Sequence, residues 1–196
     1  MRRLLFRVFL FALVVAGTGC ASPRSNFYTL NSEAKAVTAA ADYTVVVGPV
    51  SVPAVVDRPQ IVTRLAPNRV AIEEFHRWAS PLKDAIPRVV VENLSAMLGT
   101  PHVTVFSQPR TAGARYRVLF DVIRFESAPG EAATLDAVWT VRGTQGGAVR
   151  EGRTTVSEPV PDRGYATLAA AHSRALGRLS GDIAEAIRAL ERRGAE

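Results

Sequence analysis

The spacing of apolar residues changes twice along this chain, and the changes divide it into elements. Four short extended segments come first: Phe27–Leu30, Tyr43–Val50, Gln60–Leu65 and Arg69–Phe75. β-branched and aromatic residues dominate them, and the unbroken Val45-Val46-Val47 run suits a strand buried on both faces. Asn31–Ala41, between the first two, is Ala-rich and without period, so it reads as loop. Gly48-Pro49 and Pro53 bend or end the second segment. Asp57-Arg58-Pro59 turns the chain into the third, because Pro fixes its own φ and restricts the residue before it. In the fourth, Val70, Ile72 and Glu74 face one way and Ala71, Glu73 and Phe75 the other.

At Leu82 the alternation gives way to steps of three and four: Ile86, Val89 or Val90, Asn93 or Leu94, and Met97 or Leu98 form one stripe. This predicts a helix over 81–98, with Ser80 as hydroxyl N-cap, Pro81 at the first helical position and Asp84 near the positive end. Pro87 should kink it or delay its regular part, and Gly99 followed by Pro101 ends it. Alternation then returns in Val103–Phe106, Arg115–Glu126, Ala132–Arg142 and Ala148–Ser157. The last three have short connections and predict an antiparallel meander, with Leu135, Ala137, Trp139 and Val141 facing the core. A second helix over 163–192 closes the chain. Its apolar stripe runs through Tyr165, Leu168, His172, Leu176, Leu179, Ile183, Ile187 and Leu190. Arg174, Arg178, Asp182, Glu185 and Arg188 occupy its opposite face. The order ββββαββββα predicts a single α+β domain, a mixed or antiparallel sheet with two main helices packed on it.

The first twenty residues belong to targeting. Arg2, Arg3 and Arg7 precede the apolar run Val8–Ala16, which at about nine residues is less than half of what a bilayer-spanning helix needs. A basic start, a short apolar core and small residues describe an export signal. Gly17-Thr18-Gly19-Cys20 resembles a lipobox, although Gly17 stands where Leu is usual. The division that follows is a signal peptide over 1–19, a lipidated Cys20 with a short tether over 20–26, and a domain over 27–196. Residues Ala21–Asn26, fully extended, reach at most about 20 Å, which keeps the domain close to the membrane. Cys20 is the only cysteine, so no intramolecular disulfide forms.

Charge and motifs remove several classes of function. Of the 24 basic residues, all but Lys35 and Lys83 are arginines, and no cluster is dense enough for a nucleic-acid footprint. The signal peptide alone carries half of the net charge of +6. No nucleophile elbow, phosphate-binding loop or dinucleotide fingerprint is present. His76, His102 and His172 fall in different elements without metal-ligand spacing, and His172 reads as a hydrogen-bonded core histidine. Glu73 and Glu74 point to opposite faces of one strand and cannot act on one substrate. The chain therefore reads as a non-enzyme with no cofactor and no metal.

One set of residues points further. Phe27-Tyr28-Thr29-Leu30 soon after the lipobox, Val47-Gly48-Pro49-Val50 leading into Pro53, the octet Asp57-Arg58-Pro59-Gln60-Ile61-Val62-Thr63-Arg64, Arg77-Trp78-Ala79 before Pro81-Leu82, Asn93-Leu94-Ser95, and Leu179-Ser180 before Asp182-Ile183-Ala184 resemble the auxiliary lipoproteins of ABC-type transport systems, the PqiC/YmbA family. Ser80, where an acidic residue is common, and Pro87 depart from its usual pattern. The resemblance implies a non-enzymatic lipoprotein subunit facing the periplasm. Its partners would be an MCE-domain protein and the associated inner-membrane transporter subunits, and its task intermembrane phospholipid transport and outer-membrane integrity. Ala21 after the Cys carries no inner-membrane retention signal, which favours the outer membrane. A ring-shaped homo-oligomer would suit a tubular partner. The alternative is a self-contained lipid carrier with an internal apolar cavity.

Asp57, Arg58, Gln60, Arg64 and Trp78 have two readings. In one they are structural: Asp57 caps the turn, the arginines pair with nearby carboxylates and Trp78 plugs the core edge. In the other they form a docking surface, since Arg and Trp are frequent interface anchors.

Overall fold

The computed structural model describes residues 23–38, 41–106, 113–144 and 146–194. The expected signal peptide and the expected lipidation site, Cys20, lie outside the described residues. The elements are β1 (Asn26–Tyr28), β2 (Val45–Ser51), β3 (Gln60–Ala66), β4 (Arg69–Trp78), α1 (Leu82–Leu98), β5 (Val103–Val105), β6 (Tyr116–Ala128), β7 (Ala132–Gly143), β8 (Val149–Pro159) and α2 (Tyr165–Gly194). Their order matches the pattern in the sequence, and the class is α+β.

Strand β6 is the trunk of the sheet. On one edge it carries β7, antiparallel from Tyr116↔Gly143 to Ala128↔Ala132, and β8 lies antiparallel beyond that. Its other edge is divided. β2 runs parallel to it from Val45↔Tyr116 to Ser51↔Asp121, whereas β3 meets it only at Thr63↔Ser127. Residues 52–59 cross the resulting fork. β5 lies parallel outside β2; β4 is antiparallel to β3, and β1 is parallel to β4. Val45, Val46 and Val47 are 0% exposed, as a central strand with parallel neighbours on both sides requires. Gly48-Pro49, a cis peptide, does not end β2, which continues to Ser51 after a register shift.

Both helices pack together and against one side of the sheet. Leu82, Ile86, Val89, Val90 and Leu94 of α1 and Leu168, Leu176, Leu179, Ile183 and Ile187 of α2 are fully buried with Phe120 and Leu135 of the sheet. They fill the space beneath it, and truncating one such leucine to Ala costs about 2–5 kcal/mol. No helix among the described residues is long and apolar enough to cross a membrane.

Three local expectations are corrected. The N-cap of α1 is Pro81, not Ser80: the Pro81 carbonyl accepts from the Asp84 and Ala85 N–H groups at 3.0 and 2.9 Å. Pro81, whose ψ of 135° is extended, therefore stands just outside the helix. Pro87 lies within a continuous helix, and Gly99 closes it in the left-handed conformation at φ 66°. The arginines, which as a class suit a solvated surface, are in part tied down on the polar face of α2. Arg174 and Arg178 bond Glu158 of β8 at 3.0 and 3.5 Å, and Asp182 accepts from Thr154 Oγ1.

Asn93, part of the stripe on α1, does more than pack. Its Oδ1 accepts from Ser32 Oγ at 2.7 Å and from the N–H groups of Glu33 and Ala34 at 3.2 and 3.3 Å; its Nδ2 donates to Ser180 Oγ at 3.2 Å. One buried amide thus ties the irregular segment after β1 to both helices.

Candidate functional site

The segment 53–64 positions most of the residues singled out in the sequence. Val56 is buried, and the N–H groups of Val56 and Asp57 both bond to the Pro53 carbonyl at 3.0 and 3.1 Å. This turn delivers Pro59, whose carbonyl accepts from the Trp78 N–H at 2.7 Å and so joins the start of β3 to the end of β4. The next N–H, that of Ala79, bonds to the Tyr28 carbonyl at 2.8 Å and ties in β1.

The structure separates the five candidates into two groups. Trp78 is buried at 5% exposure, edge-on to Phe125 and His172 with ring centroids 6.2 and 6.0 Å away. Only its rim reaches a cleft of about 320 Å³, which it lines with Asp57, Arg58, Pro59, Ala79, Ser80, Pro81 and Lys83. Among the described residues neither Asp57 nor Arg58 takes part in an ion pair, and Arg58 Nε is shielded from solvent without an acceptor. The structural account therefore fits Trp78 but leaves Asp57 and Arg58 unexplained.

Gln60 and Arg64 sit elsewhere, on the outer surface of the sheet. Gln60 Nε2 donates to Glu74 Oε2 at 3.4 Å. Arg64 bridges Glu126 at 3.0 Å and Glu131 at 2.5 Å, and the hydrogen bond to Glu131 and the charge of Glu126 raise its pKa. Beside them lies an apolar surface that the sequence did not single out. Val55, Val70, Ile72 and Ile123 are each 44–54% exposed. Val62 is paired with Ile72, and Arg64 with Val70, across the β3–β4 ladder. A depression of about 140 Å³ sits at the fork among Pro53, Val55, Val62, Val70 and Ile123. The bulge at β6, where the register shifts between Val122 and Arg124, turns both Ile123 and Arg124 outward. Period-two reading puts Ile123 and Arg124 on opposite faces, which is why the patch was not visible in the sequence.

On the inner side, Tyr28 OH and His76 Nδ1 are 2.8 Å apart and His76 stacks on Tyr165 at 3.7 Å. Burial, reinforced by a hydrogen bond to Glu73, pushes the Tyr165 phenol up to about 12. Glu73 also accepts from Thr63 Oγ1 at 2.8 Å, while Glu74 serves Gln60 and Arg77. The two carboxylates have separate partners. No group of three or more His, Cys, Asp or Glu gathers into a metal-binding arrangement among the described residues.

Comparison with known proteins decides the family. The family described as "ABC-type transport auxiliary lipoprotein component" matches this chain over residues 28–184. The chain belongs to that family. An ABC-transport auxiliary lipoprotein is thus a transport component, with membrane anchoring implied by its class. Among solved structures it is similar to protein XCC0632 from Xanthomonas campestris, of the DUF330 family, with a TM-score of 0.71 at 21% identity over 87% of this chain and 99% of that one. An uncharacterized protein gives a TM-score of 0.69 at 21% identity, over 84% and 99% of the two chains. At these identities the likeness is one of fold. No curated protein matches the chain.

Proposed function

We propose that this auxiliary lipoprotein is anchored through Cys20 to the periplasmic face of the outer membrane. There it docks the periplasmic end of an MCE-protein assembly, whose inner-membrane transporter supplies the energy for phospholipid movement between the membranes. The carrying observation is the outer surface of the β3–β4 arm: exposed Val55, Val70, Ile72 and Ile123, rimmed by Gln60, Arg64 and Glu126. An apolar centre with a polar rim is the anatomy of a protein interface. The chain contributes position and a landing surface, not turnover; a ring of identical copies would offer that surface repeatedly to a tubular partner.

The test combines three measurements on the native lipoprotein. Fractionation should place it in the outer membrane; recovery in the inner membrane defeats the arrangement. Cross-linking from position 72 should capture an MCE-domain protein, and Val70→Glu should abolish the capture. Native mass spectrometry reads the ring. The alternative, a self-contained lipid carrier, needs a chamber in the space that Phe120, Leu135, Leu176, Leu179 and Ile183 fill. Phospholipid co-purifying in stoichiometric amount with its acyl chains enclosed, and retained in Lys83→Gln, would favour it.

A further inference from the structure

The cleft beside α1 is not part of the docking surface, and its chemistry is different. It is lined by the rim of Trp78 with Pro59 and Pro81, and by the charged residues Asp57, Arg58 and Lys83. Asp57 and Arg58 are adjacent in sequence yet do not pair with each other, and Lys83 likewise joins no ion pair among the described residues. The neighbouring arginines behave otherwise: Arg64, Arg77 and Arg88 each hold a carboxylate. Arg58 also keeps its Nε–H out of water with no acceptor, and a hydrogen-bonding group left unmade in this way is costly. The guanidinium fork, free of any carboxylate, takes a carboxylate or a phosphate in the same bidentate geometry, and a second cation on the cleft, Lys83, favours the more highly charged phosphate.

We propose that this cleft binds a zwitterionic phosphoethanolamine headgroup, its phosphate against Arg58 and Lys83 and its ammonium against Asp57. Two cations alone would suit any phosphate; the carboxylate on the same cleft selects one that carries a positive end. The cleft, about 320 Å³, is large enough to hold such a headgroup. The cleft also lies within reach of a bilayer. Ala79, on its wall, bonds to Tyr28 of β1, and the chain that leads from β1 back to Cys20 spans at most about 20 Å. The proposal needs only the cleft; that its natural ligand is membrane-borne rests on the anchoring through Cys20 proposed above.

The experiment uses the full chain in a maltoside detergent, titrated with phosphoethanolamine and separately with inorganic phosphate, and read by calorimetry. Phosphoethanolamine should bind saturably and at least tenfold more tightly than phosphate. Arg58→Gln and Lys83→Gln should each weaken both ligands at least tenfold, whereas Asp57→Asn should weaken phosphoethanolamine alone. Lys83 is exposed on the helix surface, so its variant tests the site even where Arg58→Gln fails to fold. Vesicles containing phosphatidylethanolamine, compared with phosphatidylglycerol, then separate a membrane-borne source from a soluble one by whether the Asp57→Asn variant loses the preference. Absence of binding, binding unchanged in Lys83→Gln, or equal affinity for inorganic phosphate would each overturn the assignment. Val70→Glu should leave headgroup binding intact, so failure of the docking reading and failure of this one are told apart.

Discussion

His172 Nε2 lies 2.8 Å from Ser127 Oγ in the closed space between β6 and α2, with Phe125 stacked on the imidazole at 3.9 Å. The ring is 0% exposed and its Nδ1 has no partner, so nothing compensates a charge there.

Burial holds the His172 pKa down to about 3, from an ordinary 6.5. Below about pH 6.5 the unfolded chain takes up a proton that the folded chain refuses, so stability falls with falling pH at about 1.4 kcal/mol per unit. Denaturant titrations at pH 7.5 and pH 5 should therefore differ by about 2 kcal/mol. Asp136 is held below the usual carboxylate range by its hydrogen bond from Arg153. For Glu191 burial pulls the other way, but hydrogen bonds from Arg115 and Tyr116 outweigh it and the pKa is lowered. Both groups contribute above their unfolded pKa values, and that contribution is lost only as pH falls further, below about 4. The window between pH 5 and 6.5 thus isolates the histidine. His172→Gln should flatten that slope while keeping a hydrogen-bonding partner for Ser127; an unchanged slope would refute the assignment.

Asn93→Ala should cost about 2–3 kcal/mol, since it strands the Ser32 hydroxyl and the Glu33 N–H, leaves the Ala34 N–H only its 3.4 Å bond to Ser32 Oγ, and takes a donor from Ser180. The loss should be local as well as global. Amide exchange at Glu33 and Ala34 should rise more than exchange in β7, and equal acceleration in both would argue against a tie specific to this segment.

These two residues mark the boundary of what the sequence discloses. The stripes of α1 and α2 identified Asn93 and His172 as core-facing, because helical period depends only on which positions are apolar. The alternation in β6 to β8 likewise disclosed a meander, since short turns leave antiparallel pairing as the one geometry within reach. The fork did not show. Parallel pairing of β2 and β3 with different stretches of β6 depends on long-range register, and no short turn encodes it. The same limit applied to the site. Arg58 and Arg64 look alike in the octet, but the turn at Pro53 leaves one unpaired in a cleft while the other reaches Glu126 and Glu131 from across the sheet.

Gly152 has a steric role. A Cβ there would stand 2.3 Å from Trp139 Cζ2, because the indole lies flat over the opposite position of β8. Gly152→Ala should destabilise by about 1–3 kcal/mol and shift the Trp139 emission as the ring is displaced. Gly181, on α2, meets nothing within 4 Å of its built Cβ. Gly181→Ala should therefore stabilise by up to about 1 kcal/mol through helix propensity, and the pair of thermal melts should move in opposite directions.

The docking surface makes the sharpest demand, that partner capture and stability come apart. Ile72 and Val70 are about half exposed, and a charge placed on them removes little apolar burial from the fold. Val70→Glu and Ile72→Glu should each leave the denaturation midpoint within about 0.5 kcal/mol of the parent. Arg64 is partly exposed, and solvent-screened ion pairs such as its two contribute little to stability. Arg64→Ala should thus shift the denaturation midpoint only slightly. Against that small cost, each of the three variants should reduce cross-linking to the MCE-domain partner at least tenfold, with the cross-linker moved to position 55 for Ile72→Glu. Charge reversal at Arg117, exposed on the same strand as Ile123 but six residues from it, should not. If the β3–β4 variants capture the partner as well as the parent does, the patch is not the landing surface, however apolar it is.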